Sequence, residues 1–166
     1  MPNWCSNELI IIGKEDDLIK FKIQAKGTNT DLCLNNFVPM PKELEDTRSP
    51  GPWPNWYDWR IYNWGIKWDI EGHLIGESES ILIYEFDSAW SPPTNWISKV
   101  ASIFPELSFE LYFKESGMCF QGTMIAKEDL SVIQEEDYYE DIDEWEKDER
   151  IARHYQAMKD FEDMRF

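Results

Sequence analysis

Two short stretches carry the side chains best suited to chemistry. NWGIKWD holds Asn63, Trp64, Lys67, Trp68 and Asp69 around one glycine, and DSAWSPP holds Asp87, Trp90 and Ser91. Indole faces take planar or cationic groups, while amide, ammonium and carboxylate groups orient polar atoms. These residues make a candidate ligand-binding pocket for a nucleotide or a cationic side chain. They fit a structural role as well. Tryptophan and asparagine can staple a long loop to a sheet, with Lys67 paired to Asp69 or Asp87 and the buried indole N–H groups bonded to nearby acceptors. On the sequence both readings stay open. A smaller aromatic-polar group, Asn3, Trp4 and Asn7, opens the chain.

A second candidate surface lies near the C-terminus. EEDYYEDIDEWEKDE (135–149) is nearly all acid and aromatic, and RIARHYQAMKDFEDMRF follows with the positive residues. Ile142, Trp145, Ala152 and Tyr155 share a helical stripe that Met158 and Phe161 continue with drift, so a helix is expected over 142–164. Its acidic first half suits the helix dipole. Such a helix either docks on the protein's own surface or engages a partner. Asp141, Asp143, Glu144, Trp145, Asp148 and Tyr155 are the candidate partner-binding residues, and a homodimer through this helix is a further expectation.

Charge narrows the partners. The 166 residues carry a net charge of −17, about half of it in residues 127–166. Nucleic-acid backbones and anionic membranes repel such a chain, whereas a basic protein surface attracts it, including one that normally holds DNA. Cys5, Cys33 and Cys119 are an odd number without a C-x-x-C pair, which fits a reducing compartment. The N-terminus lacks a basic leader, and no stretch approaches the ~18 apolar residues of a membrane span. A cytoplasmic protein is expected.

Familiar catalytic signatures are missing. GKEDD lacks the G-x-x-x-x-G-K-[ST] spacing of a phosphate loop. His73 and His154 have no second ligand at helical spacing, Cys5 has no evident base, and DIDEWEKDE lacks the EF-hand glycine. Three scattered cysteines cannot hold an iron–sulfur cluster. No catalytic residue, metal or cofactor is assigned. An enzyme would need a hidden general base such as Asp69 or His73.

The elements that position these residues follow from periodicity. WCSNELIIIG (4–13) predicts a strand, and KEDDLIKFKIQAKG a short helix with Leu18, Phe21, Ile23 and Ala25 inward. LCLNNFV (32–38) predicts a short strand. Residues 39–62 predict a long inserted loop that turns helical from Tyr57 to Trp64. Strands are predicted at Trp68–Ile75 and Ser80–Phe86, then a helix with Thr94 as its cap and Ile97, Val100, Ala101 and Phe104 at helical spacing. LSFELYFKE and GMCFQGTMIA predict a hairpin that adds one edge strand. The order βαββαβ is the split-βαβ pattern of an α+β, ferredoxin-like sandwich over residues 1–126, followed by an acidic linker and C-terminal helix over 127–166. Right-handed crossovers are taken to place the first and third strands side by side and parallel. The NWGIKWD and DSAWSPP cluster then falls at one end of the sheet, and Asn3, Trp4 and Asn7, beside Glu115 and Gly117, at the other.

MPNWCSN, FVPMP, NWGIKWD, DSAWSPP, FPELSF and ESGMCFQG resemble, in order, the signature stretches of the YubB-like proteins of phages and plasmids. The resemblance covers residues 1–126 and implies a ferredoxin-like domain and a mobile-element origin, but no activity. Ile66 stands where that pattern leads us to expect a smaller polar residue. The function expected is a non-catalytic acidic protein that binds a host protein with a basic surface, as an anti-defence or nucleic-acid-mimicking inhibitor. The alternative is a small-ligand or nucleotide-binding module using the tryptophan-rich end of the sheet.

Overall fold

An unbroken apolar run is what a strand buried on both faces requires, and NELIII supplies it. The computed structural model, which describes residues 1–127, 132–138 and 156, makes this run the centre of the sheet. β1 (Trp4–Ile12) is flanked by β3 (Ile81–Ala89) and β4 (Ser108–Glu115). Outside β3 lies β2 (His73–Glu77), and outside β4 lie β5 (Phe120–Ala126) and β6 (Val132–Tyr138). The six-stranded order is β2-β3-β1-β4-β5-β6, the arrangement expected of the split-βαβ sandwich.

The direction of the central pair differs from expectation. β1 is antiparallel to β3, with Trp4 opposite Ala89 and Ile12 opposite Ile81, and antiparallel to β4, with Cys5 opposite Glu115. The crossover through α1 (Glu15–Ala25) makes β1 and β2 run the same way, and the β2–β3 hairpin then reverses β3 before it enters the gap. The right-handed crossover rule governs β1 and β2, not β1 and β3.

Among the described residues, the α-helices α1, α2 and α3 serve one face. α1 buries Leu18, Phe21 and Ala25, while α3 (Thr94–Ile103) buries Trp96, Ile97, Val100 and Ala101. α2 (Trp56–Trp64) lies against α3. Ile23, expected inward, is exposed because it sits on the side of α1 away from Phe21. Thr94 is the first helical residue rather than the cap, and Pro93 at the cap position makes no side-chain bond. Phe21 is the hub of this core. It stacks on Phe37 at 4.6 Å between ring centroids and meets Phe104 at 5.4 Å and Phe109 at 5.8 Å.

Other differences have local causes. Residues 32–38 are not a strand: apart from a single bridge between Leu32 and Gly72, they form a 3-10 turn over Leu34–Asn36. Asn36 holds that turn by donating to the backbone oxygens of Gln24 and Lys26, which competes with extended pairing. The segment 39–62 is less of a loop than expected, with a 3-10 turn at Lys42–Leu44 and α2 starting at Trp56. Two edge strands are added rather than one, because Val132–Tyr138, assigned to the acidic linker, pairs along the whole of β5. No helix among the described residues is long and apolar enough to cross a membrane. The expected helix over 142–164 and the candidates Asp141, Asp143, Glu144, Trp145, Asp148 and Tyr155 lie outside the described residues.

Truncating the hub tests this core. Phe21→Ala should lower the unfolding free energy by ~3–5 kcal/mol with an unchanged urea m-value, the scale for a buried phenylalanine that leaves a cavity.

Candidate functional site

NWGIKWD changes direction residue by residue. Asn55 starts the preceding helix by accepting from the Tyr57 and Asp58 amides, each at 3.1 Å. Gly65 ends it in the left-handed region at φ 83°, its N–H bonded to the Arg60 and Ile61 carbonyls. That turn sends Trp64 and Ile66 into the core. Trp64 is 1% exposed, and its indole donates to the Val38 oxygen at 2.9 Å. Ile66 is fully buried and belongs to the core. Asn63 donates to the Trp59 oxygen and accepts from Lys99. Asn63 and Trp64 therefore hold this turn against the core.

Asp69 is a pin. Its Oδ1 accepts from the Leu34 amide at 2.8 Å and its Oδ2 from the Asn35 amide at 3.0 Å and the Cys33 thiol at 3.3 Å. The Ile70 amide adds a fourth bond. The carboxylate thus holds the start of the 34–36 turn to the loop before β2. This explains why β2 begins at His73 and not at Trp68. It also commits both oxygens, which leaves Asp69 poorly placed as a general base.

Lys67, Trp68 and Trp90 face out together. Trp68 and Trp90 are 38% and 45% exposed, with ring centroids 5.6 Å apart and planes at 33°. The Lys67 ammonium lies 4.7 Å from the Trp68 centroid, 5.6 Å from Trp90, 5.9 Å from Tyr57 and 6.0 Å from Trp56. Lys67 is thus held by ring faces, whereas the expected pair with Asp69 or Asp87 does not form. Ion pairs among the described residues include Lys20–Asp17 and Lys22–Glu77. Trp90 takes this place through a costly backbone, with φ at 64° in a non-glycine residue. Its amide donates to the Asn3 oxygen at 2.8 Å, and Ser91 Oγ donates to the Gly65 oxygen at 3.0 Å. Those two bonds tie the end of β3 to the N-terminus and to the α2 turn.

The two clusters expected at opposite ends of the sheet share one end. β1 begins where both β3 and β4 finish, because it runs against both. Asn7 donates to Ser88 Oγ and to the Cys5 oxygen, each at 2.8 Å. Glu115, also buried, accepts from the Gly117 and Met118 amides at 2.6 and 2.7 Å, next to Asn3. Beside these pins a cleft of about 610 Å³ opens, lined by Trp4, Ser6, Asn7, Asp69, Ile70, Glu71, His73, Glu85, Phe86 and Asp87. Asp87 accepts from Ser6 Oγ at 3.0 Å. His73 sits opposite Glu85 in the strand register.

Of the candidates, Lys67, Trp68 and Trp90 form an exposed aromatic box, Asp69 and Asp87 border the cleft, and Asn63, Trp64 and Ser91 hold the scaffold. Trp4, Ser6, Glu71, His73 and Glu85 complete the cleft, and Trp56 and Tyr57 complete the box. For Ser6 and Glu85 the signal was strand register, which the assumed parallel pair obscured, whereas Trp56 and Tyr57 are placed by α2 and not by any strand. Among the described residues no three His, Cys, Asp or Glu side chains converge as a metal site. Burial pushes the Cys5 thiol up to about 12, so it stays protonated at neutral pH.

A family model described as the ferredoxin-like domain in Api92-like protein matches residues 63–155, more than half of the chain. The chain belongs to this family. The match begins at the end of α2 and runs beyond residue 126, past β6, while β1, the strand on which the sheet is centred, precedes it. The fold is also similar to the crystal structure of protein Api92 from Yersinia pseudotuberculosis, with a TM-score of 0.58 and 10% identity over 86% of this chain and 100% of that one. At that identity the likeness concerns the fold alone. Comparison with curated proteins gave no match.

Asp69→Asn tests the pin. Burial first, then the charge and hydrogen bond of Asp69, push the Cys33 thiol up to about 11. Without that carboxylate, the pKa read from the pH dependence of disulfide-reagent attack should fall toward the ordinary thiol value while burial keeps it above. Weakened bonding to the three amides should also cost ~1–3 kcal/mol in urea unfolding.

Proposed function

We propose that this chain is a non-catalytic interaction protein that grips a cationic segment of a partner protein at the tryptophan-and-acid end of its sheet. One observation carries the reading. A cleft bordered by Asp69, Glu71, Glu85 and Asp87 opens at the end of the sheet where Trp68 and Trp90 already hold an ammonium group, that of Lys67. Ring faces attract cations through their quadrupole, and the carboxylates add charge that a lysine or arginine side chain complements. The net charge of −17 adds long-range attraction toward a basic surface. The resemblance to YubB-like proteins extends the proposal to a mobile-element origin and a host protein as partner.

The same geometry bears on the alternative of a small-ligand module. A nucleotide would bring its phosphates against Glu85 and Asp87, so a small ligand at this place has to be cationic or neutral. A basic protein segment uses both the rings and the acids, and it is the reading favoured here.

Titration calorimetry with a lysine- and arginine-rich peptide and an acidic peptide of equal length tests it. The basic peptide should bind with strong salt dependence and the acidic one should not. Trp90→Ala should weaken binding about tenfold, as a cation–π contact of ~0.5–2 kcal/mol implies. Glu85→Lys with Asp87→Lys should abolish it at unchanged near-ultraviolet dichroism. Lys67→Ala, which vacates the ring faces, should tighten binding more than Lys26→Ala, which removes the same charge elsewhere. Unchanged affinity in the Trp90 and acid-cluster variants would reject the site.

A further inference from the structure

The sheet face that carries no described helix should be wet, yet its centre is dry. α1, α2 and α3 all contribute to the core on the Cys5, Leu9 and Ile11 side. On the opposite side Ile10, Ile12, Ile81 and Ile83 form a second cluster, between 0% and 8% exposed, with Tyr112 packed on it. Among the described residues, the buried members of that cluster come from β1 and β3. Glu8 shares this face at 3% exposure, directly across from Glu85 on β3 and Tyr112 on β4. Carboxylates at this depth are compatible with cationic groups beside them.

We propose that the chain's own C-terminal segment, residues 142–166, lies as a helix across this open face. Reach allows it. The segment follows β6, the outermost strand. A helix over 142–164 is ~34 Å long at ~1.5 Å per residue, and six strands ~4.8 Å apart make a sheet ~25 Å wide. Gln156, the described residue of the tail, is helical and exposed, and it orients the rest. Turning ~100° per residue from Gln156, the face pointing away from it carries Lys147, Arg150, Ile151, His154, Met158 and Phe161. Asp143 also falls on it; the rest of that face is apolar and basic within an acidic segment. It complements the isoleucine cluster together with Glu8, Glu85 and Glu110, which line the same side of the sheet.

In this seating Ile142, Trp145 and Ala152, three residues of the stripe read from the sequence, fall on the Gln156 side and face solvent with Asp141. The acidic-aromatic surface then faces outward, and the segment is anchored by its basic side. This seating shares Glu85 with the cationic-segment reading but is tested apart from it, by the protection and cross-links of the tail rather than by peptide binding.

Hydrogen exchange, dye binding and light scattering on the full chain test it. Ile151→Asp with Phe161→Asp should raise fluorescence of an apolar-site dye several-fold and strip the amides of 145–164 of at least an order of magnitude of protection. Protection in β1 should survive, and the protein should stay monomeric. Trp145→Asp, on the outward side, should change none of these. Identical behaviour of the two variants overturns the proposal. So does a wild-type dimer that Ile151→Asp with Phe161→Asp converts to monomer, since the face then belongs to a second copy. Carbodiimide cross-linking of the unmodified protein supplies a readout that needs no variant. Links within one monomer from Lys147 to Glu85 or Glu110 support the seating, and links only between monomers, or none to the sheet, overturn it.

Discussion

Everything at the candidate site depends on one constraint, the antiparallel pairing of β1 with both of its neighbours. Because both flanking strands run against it, the beginning of β1 lies beside the ends of β3 and β4. The hairpin partner of β3 starts at that rim as well. Four segments therefore converge: MPNWCSN, the approach to β2 through Lys67 and Trp68, the exit of β3 through Trp90, and the turn after β4. A parallel central pair would have split them between two ends some strand-length apart, and neither group would have formed a cleft.

Convergence brings together many backbone groups that need partners, and short polar side chains meet the need. Asp69 serves the 34–36 turn, Asn7 the end of β3, Asn55 the start of α2 and Glu115 the turn after β4. Each bonds more than one donor or acceptor, so removing one unsettles two segments. These pins release the tryptophans from structural duty. Trp64 and Trp96 remain inside, their indoles bonded to the Val38 and Leu34 carbonyls, while Trp68 and Trp90 are left with open ring faces. The left-handed backbone of Trp90 shows the cost of that exposure, and the bonds on either side of it keep the conformation in place.

The acidic character of the chain takes on a direction in this frame. Asp69, Glu71, Glu85 and Asp87 gather at the cleft, and Glu8 and Glu110 lie on the same side of the sheet further along. A face of this sign favours cationic groups.

The local pattern determined the elements. Apolar runs, prolines and glycine stops placed β1, α1, α3 and the β4–β5 hairpin, because those signals act within a few residues. Their order was enough for the split-βαβ topology. Strand direction was not local: whether β3 runs with or against β1 follows from the handed path of a crossover and a hairpin together, and only the assembled sheet decided it. The same holds within NWGIKWD. The sequence shows two tryptophans, a lysine and an aspartate; burial of Trp64, capping by Asp69 and the stacking of Lys67 between Trp68 and Trp90 depend on partners at positions 34, 38 and 90, which no window around residue 66 contains.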